Sequence, residues 1–175
     1  MIEPGTTFAP RVLEAVDGAP VAIPDARRRV HLQLRRFAGC PVCNLHLRTF
    51  ADRAEAIAAA GILEVAVFHS SADVLRPYVR DLPFAVLADP DKVLYRELGV
   101  GTSGRAIADP RAWPTIAVSV GRTLRGDWPA PPAVPEGGRF GLPADFLIGT
   151  DGRVIACHYG VHADDQWTVD ELLAR

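Results

Sequence analysis

The chain has 175 residues, of which 49% are hydrophobic and 23% charged, with a formal net charge of −2. This composition is ordinary for one soluble globular domain, and the charge balance gives no electrostatic reason to expect binding to nucleic acid or to an anionic membrane. No apolar run approaches the ~20 residues that span a bilayer, and the N-terminus lacks a secretory signal pattern. We therefore expect a cytoplasmic protein.

The first half of the chain alternates predicted strands and helices. Val30, Leu32 and Leu34 alternate with polar residues, which predicts a strand over residues 30–37. Apolar residues at helical spacing follow, and that helix is predicted to end near Gly61. The pattern then predicts a buried strand (63–68), a helix (72–80), a strand (84–88) and a helix (91–98).

Residues 101–142 form an irregular insert. Trp113, Ile116, Val120 and Leu124 favour a helix within it, although Ile116, Val118 and Val120 also alternate as in a strand. The proline-rich and glycine-rich segment 129–143 predicts a long surface loop.

The last part of the chain predicts a β-hairpin and a helix. Strands over 145–149 and 153–159 are joined by an Asp-Gly turn, and Thr168 with Glu171 forms a capping box for the terminal helix. The order β-α-β-α-β-α-insert-β-β-α predicts one α/β domain over residues 1–175. In it a mixed central sheet is covered by helices on both faces.

Two of the three cysteines lie close together in RRFAGCPVCNLHL, residues 35–47. A redox dithiol, half of a metal site and a pair of core residues are the competing explanations. Pro41 at the first helical position makes Cys40 the N-cap, so its sulfur faces free backbone N–H groups and the positive end of the helix dipole. Because these groups lower the pKa of a thiol, we predict that Cys40 attacks. Cys43 lies one turn further into the helix and is predicted to be more buried. We predict that it is the resolving cysteine, which attacks Cys40 and closes a disulfide.

The other candidate residues are histidines, arginines and the third cysteine. His158 and His162 complete a C-x2-C…H-x3-H pattern, but the separation far exceeds that of a zinc finger, so we expect no metal and no cofactor. Cys157 alternates with apolar residues and is predicted to belong to the core. His69 follows a predicted strand and is a candidate for proton transfer. Arg36 is a candidate for electrostatic assistance, although only one of Arg35 and Arg36 can face the site.

Three segments resemble a known family. The strand, Cys-Pro-x-Cys and helix resemble the active site of thioredoxin-fold oxidoreductases. GLPADFLIGTDGRVI (141–155) is similar to the stretch in which a cis-proline faces the cysteines, and ADPDKVLYRELGV (88–100) resembles a peroxiredoxin segment. Over residues 25–174 the chain resembles the peroxiredoxin-like branch of the AhpC/TSA superfamily.

This resemblance implies a thioredoxin-like fold and an antioxidant thiol–disulfide oxidoreductase with the Cys40/Cys43 dithiol. It implies a cis Leu142–Pro143 bond and a substrate groove formed by Pro143, Gly39 and Pro41. The substrate would be a disulfide or a peroxide, and the reductant a thioredoxin-like protein or a low-molecular-weight thiol. A homodimer is also consistent with the family.

One departure concerns the peroxidase chemistry of the family. Phe37 stands where peroxiredoxins place a threonine three residues before the peroxidatic cysteine, and Gln33 stands where they place a proline. The usual hydroxyl that orients a peroxide is therefore absent from that position. A weak two-cysteine peroxidase is the first alternative function, and a non-catalytic redox-sensing or partner-binding module is the second.

Overall fold

The computed structural model describes residues 1–175, and a five-stranded mixed sheet forms its centre. The strands of the chain are β1 (Arg11–Glu14), β2 (Pro20–Ile23), β3 (Arg29–Leu34), β4 (Ile62–Phe68), β5 (Ala85–Ala88), β6 (Ala144–Ile148) and β7 (Val154–Tyr159). The sheet order is β5-β4-β3-β6-β7, with β3, β4 and β5 parallel and with β6 and β7 each antiparallel to its neighbour. The predicted mixed sheet is confirmed.

Seven helices accompany the sheet. They are α1 (Pro41–Asp52), α2 (Ala54–Ala59), α3 (Ala72–Val79), α4 (Val93–Glu97), α5 (Arg105–Ala108), α6 (Trp113–Arg125) and α7 (Val169–Leu173). The single helix predicted after the cysteines is divided into α1 and α2, because Arg53 leaves the helical conformation at φ −114° and ψ 14°. The capping box of Thr168 and Glu171 is present at the start of α7.

The two faces of β3 differ in polarity. Val30, Leu32 and Leu34 belong to the largest apolar cluster of the protein. The alternate residues His31, Gln33 and Arg35 are just as deeply buried, each with none of its surface exposed. The polar half of this alternation therefore faces a covered interior and not solvent.

An N-terminal hairpin of β1 and β2 has no counterpart among the predicted elements. The two strands pair antiparallel over four residues each, and Phe8 and Ile23 add to the largest apolar cluster. The N–H of Val16 donates to the C=O of Val86 (2.8 Å), so this segment covers the exposed edge of the sheet beside β5. Four-residue strands offer too few positions for an alternation pattern to be recognised.

The prediction of a cis bond at Leu142–Pro143 is wrong, because the only cis peptide bond joins Ile23 and Pro24. An X–Pro bond is trans unless its surroundings select the cis form. In the trans form the N–H of Leu142 donates to the C=O of Gly101 (3.2 Å), and the C=O of Pro143 accepts from the N–H of Gly160 (2.9 Å). The backbone here is satisfied without the cis geometry.

The insert contains the predicted helix, α6, and then a segment without strand or helix. Trp113, Val120 and Leu124, which suggested the helix, face outward and are 57%, 41% and 84% exposed. Ile116 instead packs inward, against the apolar cluster that contains both Cys40 and Cys43. No helix of the protein combines the length and the apolar character needed to cross a membrane.

Candidate active site

The chain turns sharply between β3 and α1, and this turn positions Cys40. Gly39 has a φ of 75°, a conformation that side chains other than glycine rarely adopt. A Cβ atom at this position would lie 2.6 Å from Cε1 of Tyr78 and 3.0 Å from Cα of Pro131. Cys40 is the N-cap residue and Pro41 begins the helix. A glycine is therefore required directly before the cysteine both by conformation and by close packing.

Two donors surround the sulfur of Cys40. The backbone N–H of Cys43 donates to Sγ of Cys40 (3.5 Å), and Nη1 of Arg36 donates to the same atom (3.6 Å). Burial alone would raise the pKa of Cys40. A hydrogen bond from the Cys43 thiol, the charge of Arg36 and the N–H groups of Cys43 and Val42 outweigh it and lower the pKa to about 6.

The second cysteine has the opposite character. Burial, its hydrogen bond to Cys40 and the negative charge of Cys40 raise the pKa of Cys43 well above its ordinary value, against the opposing charge of Arg36. At neutral pH one sulfur is therefore a thiolate and its neighbour a protonated thiol. The two sulfurs share one proton between them, and the lowered pKa gives the sulfur of Cys40 the properties that a nucleophile requires.

The depth of the two sulfurs differs from expectation. The sequence predicts that Cys43 is the more buried residue and that Cys40 is open to solvent, but each residue is only 1% exposed. This prediction is wrong because Cys40 belongs to the buried apolar cluster that also contains Ala66, Phe68 and Leu75. The insert in addition approaches the preceding residue, Gly39, at Pro131. The charges and N–H groups around Cys40 stabilise its thiolate, but almost none of the residue is exposed to solvent.

The other predicted site residues do not converge equally on the dithiol. His69 lies next to Arg36, whose C=O accepts from its backbone N–H (3.2 Å), but the hydrogen bonds of its side chain reach Glu136 and not the cysteines. Burial, opposed only in part by backbone hydrogen bonds, lowers the pKa of His69 to about 4. The imidazole is thus neutral at pH 7, and its Nδ1 donates to the C=O of Glu136 (3.2 Å).

Pro143 directly precedes β6, whose first residue Ala144 pairs with Leu34 at the end of β3 that leads to the cysteines. It also lines a cleft together with Met1, Val100 and Tyr159. The closest contacts of Gly39, the residue before Cys40, come from Tyr78 and from Pro131 of the insert, and a groove role for Pro143 stays a prediction.

The histidines of the zinc pattern are apart from the cysteines. Nε2 of His158 pairs with the carboxylate of Asp165 (2.8 Å), and Nδ1 of His162 accepts from the N–H of Asp164 (3.3 Å). No three His, Cys, Asp or Glu side chains converge as metal ligands. Cys157 is half-buried and donates to the C=O of Ile2 (3.3 Å), and its pKa is raised by burial.

A buried charge network lies beneath α1, and the sequence analysis did not anticipate it. Its members are His31, Gln33, Arg35, Glu64 and Asp145. Nη2 of Arg35 donates to Asp145 (2.6 Å), and the imidazole of His31 bridges the carboxylates of Glu64 (2.8 Å) and Asp145 (3.3 Å). The available signal was an aspartate at the start of the otherwise apolar strand ADFLI, where a buried charge requires a partner.

The network holds four charged groups away from water, Arg35, His31, Glu64 and Asp145. Burial raises the pKa of Asp145, but the charge of Arg35 and the hydrogen bond from His31 outweigh it and hold that pKa well below its usual range. The ring of His31 also stacks between Phe50 of α1 (5.6 Å) and Trp167 (5.7 Å). Arg35 reaches His46 of α1 (3.2 Å), so the network connects the sheet to the helix that carries the cysteines.

We expect stability to decline at alkaline pH because of His31. Burial lowers the pKa of His31, but the charge of Glu64 and the hydrogen bond to Asp145 outweigh it and raise the pKa from 6.5 to about 9. The folded chain therefore holds this proton more tightly than the unfolded chain. The resulting stabilisation, roughly 3 kcal/mol, is complete below pH 6.5 and is lost as the pH rises towards 9.

Urea unfolding between pH 6 and 10 measures this decline. The His158→Gln variant, which removes the partly exposed histidine–aspartate pair, serves as the control and should keep the same profile. A wild-type free energy of unfolding that stays flat across this range would contradict the assignment.

The comparisons with known proteins bear on the family and on the fold. A family model described as AhpC/TSA antioxidant enzyme matches residues 49–162, a range that begins after both Cys40 and Cys43. No curated protein matches the chain. Among solved structures, the peroxidoxin BcpB from Mycobacterium tuberculosis is similar with a TM-score of 0.70 and 17% identity, covering 99% of this chain and 96% of that chain.

Two further structures show the same architecture. Peroxiredoxin 6 of Arenicola marina, solved as a cysteine-to-serine mutant, has a TM-score of 0.70 and 14% identity, covering 99% of this chain and 71% of that chain. StoA from Bacillus subtilis has a TM-score of 0.61 and 16% identity, covering 98% of both chains. At these identities the likeness shows the fold alone, and it confirms the predicted thioredoxin-like fold.

Proposed function

Because this chain belongs to the AhpC/TSA antioxidant enzyme family, we propose that it is a thiol-dependent oxidoreductase whose redox centre is the Cys40/Cys43 dithiol. One observation carries the proposal. The sulfur of Cys40 lies within reach of Arg36 and of a helix N–H group, which lower its pKa to about 6, whereas the pKa of Cys43 is raised. The electrostatics distinguish an attacking thiolate from a thiol held in reserve.

The reaction follows from this asymmetry. The thiolate of Cys40 attacks a substrate disulfide, forms a mixed disulfide and releases one substrate thiolate. Loss of the thiolate charge removes one cause of the raised pKa of Cys43, which then gives up its proton and attacks Cys40. The Cys40–Cys43 disulfide forms and the second substrate thiolate leaves. An external thiol returns two electrons and restores the dithiol.

Arg36 and His69 support this step in different ways. Arg36 contacts the reacting sulfur and stabilises its charge. His69 is a positioning residue, because its backbone N–H binds the C=O of Arg36 while its side chain binds the insert. We assign proton transfer to the two cysteines themselves and not to His69.

Hydroperoxides are the second candidate substrates, and the burial of the nucleophile favours them. A hydroperoxide needs only a narrow opening to reach a sulfur that is 1% exposed. The thiolate would be oxidised to a sulfenate with release of an alcohol or water, and the sulfenate would take up a proton from solvent to become a sulfenic acid. The thiol of Cys43 would then condense with it, releasing water and giving the same disulfide.

Trapping of the intermediate distinguishes an enzyme from a redox-sensing or binding module. The Cys43→Ser variant retains the nucleophile but cannot resolve. Incubated with a low-molecular-weight disulfide, it should accumulate a mixed disulfide at Cys40 in close to one equivalent, seen as an added mass in intact-protein mass spectrometry.

The Cys157→Ser variant is the matched control, since Cys157 lies near the N-terminus and has a raised pKa. It should cycle the substrate without accumulating an adduct. An adduct that forms at Cys157 instead of Cys40, or no adduct in the Cys43→Ser variant, would refute the proposed chemistry.

A further inference from the structure

The segment 129–141, here called the strap, lies against Gly39, which precedes Cys40, and against Arg36, which donates to the sulfur of Cys40. It lies between α6 and β6 and contains neither helix nor strand. Cα of Pro131 approaches Gly39 closely enough that a Cβ there would lie 3.0 Å away, and the C=O of Ala130 accepts from the hydroxyl of Tyr78 (2.8 Å). The strap thus lies against the residue that directly precedes the nucleophile.

The strap also contacts the group that stabilises the thiolate. Arg36, which donates to Sγ of Cys40 through Nη1, donates through Nη2 to the C=O of Arg139. His69 donates to the C=O of Glu136 (3.2 Å). The same guanidinium therefore links the reacting sulfur with the strap.

Two further anchors hold the strap to the body of the protein. The carboxylate of Glu136 accepts from the backbone N–H of Ser71 (2.6 Å) and from its hydroxyl (3.2 Å), at the N-terminus of α3. Nζ of Lys92 donates to the C=O of Gly137 (2.7 Å). Glu136 is the only acidic residue of the strap. In these contacts it accepts hydrogen bonds through its side chain, whereas the other acceptors of the strap are backbone carbonyl groups.

Two side-chain nitrogens beside the strap are buried and have no hydrogen-bond partner, Nε of Arg36 and Nε2 of His69. Both border Gly141, where a Cβ would lie 2.8 Å from Nε2 of His69 and 3.8 Å from Cγ of Arg36. Because Nδ1 of His69 donates its proton to a carbonyl, Nε2 is an acceptor, whereas Nε of Arg36 is a donor. A polar group that reached both nitrogens would need one donor and one acceptor.

We propose that the strap restricts the Cys40 site to low-molecular-weight polar oxidants, and that the Glu136 carboxylate is the contact that keeps it closed. This inference rests on the proposed function and narrows its substrates. A disulfide on a folded protein must bring its sulfur up to Cys40 along the S–S axis, and the strap occupies that approach. The same restriction applies to the reductant, so a low-molecular-weight thiol restores the dithiol.

The test compares the rates at which Cys40 reacts with two maleimides of different size. N-ethylmaleimide and a polyethylene-glycol maleimide are reacted with Cys40 at pH 7 in a Cys157→Ser background, where Cys43 remains protonated. The large reagent should react far more slowly than the small one. Glu136→Ala should raise the large reagent's rate by about tenfold to a hundredfold, as expected for an opening equilibrium that loses two charge-assisted hydrogen bonds.

Two variants accompany the comparison. Glu136→Gln retains one acceptor for Ser71 and should fall between wild type and Glu136→Ala. Glu97→Gln removes a surface carboxylate that pairs with Arg11 away from the site, and should leave both rates unchanged. The rate with N-ethylmaleimide should stay nearly constant throughout, because none of these changes alters the contacts of the sulfur.

The outcomes separate the strap proposal from the proposed function. Equal rates with the two maleimides in the wild type, or a large-reagent rate that Glu136→Ala does not change, overturn the strap proposal. The proposed function then stands, because Cys40 has reacted. Failure of Cys40 to react with either reagent at pH 7 overturns the proposed function and the strap proposal with it.

Discussion

Replacing Cys40 with serine is expected to abolish the reduction of both a low-molecular-weight disulfide and hydrogen peroxide. A serine hydroxyl remains protonated in the place where the cysteine, with a pKa of about 6, is mostly thiolate at pH 7. We expect kcat/KM to fall by more than about 10³-fold, as is usual when a covalent nucleophile is removed. Steady-state assays with an added thiol reductant, together with stopped-flow oxidation by peroxide, measure the loss.

The third cysteine provides the internal control for this prediction. Cys157→Ser changes the same functional group at a half-buried position far from Arg36, and should leave both rates as in the wild type. Loss of activity in Cys157→Ser with retention in Cys40→Ser would move the redox centre to another part of the protein. Oxidation of wild-type Cys40 by peroxide no faster than that of a free thiolate would remove hydroperoxides as substrates while leaving disulfides.

Replacing Arg35 with methionine is expected to cause the largest loss of stability among single changes in the charge network. Both Arg35 and Asp145 are fully buried, and their side chains lie 2.6 Å apart. Methionine fills much of the same volume but leaves the Asp145 carboxylate without its closest positive partner. Removing one member of such a pair typically costs about 3–5 kcal/mol, a large fraction of the stability of a domain of this size.

A second variant identifies the cause of that loss. In Arg35→Met combined with Asp145→Asn, the uncompensated charge is gone while an acceptor remains for the N–H of Trp167 (3.2 Å). We expect the double variant to recover more than half of the lost free energy of unfolding, measured by urea denaturation. Arg153→Met, which breaks an exposed pair with Asp151, should change it by less than about 0.5 kcal/mol. No recovery in the double variant would mean that packing, and not charge, dominates.

Strong local patterns carried most of the fold prediction. The strand before the cysteines, the buried strand β4 and the hairpin of β6 and β7 each combine an apolar pattern with a clear turn signal. Helix α6 was also anticipated, but of the four residues that indicated it only Ile116 packs inward, while Trp113, Val120 and Leu124 face outward. Periodicity identified the helix, but it could not tell which side the rest of the chain would cover.

The predictions that failed depended on contacts between distant segments. The cis bond at Leu142–Pro143 was inferred from resemblance, yet the hydrogen bonds of its neighbours to Gly101 and Gly160 are made in the trans form. The N-terminal hairpin is too short to be recognised locally, and it is stabilised by packing against the edge of a sheet formed much later in the chain.

The chemistry of the dithiol is largely a local property of the sequence. Gly39, Cys40 and Pro41 determine where α1 begins, and a helix start exposes N–H groups to whichever side chain caps it. The spacing of the two cysteines then places the second N–H, and the second thiol, beside the first sulfur. A thiolate at Cys40 and a thiol at Cys43 could therefore be predicted from thirteen residues, 35–47.

Only the tertiary structure decided what surrounds that thiolate. Alternation along β3 allowed either Arg35 or Arg36 to face the site, and the packing of Asp145 beside Arg35 selected Arg36 for the sulfur. The contact of the strap with Gly39 and Arg36 joins segments that lie about ninety residues apart in the chain. Sequence spacing defines geometry within one helical turn. Access to a site and the pairing of buried charges instead depend on which distant segments the fold brings into contact.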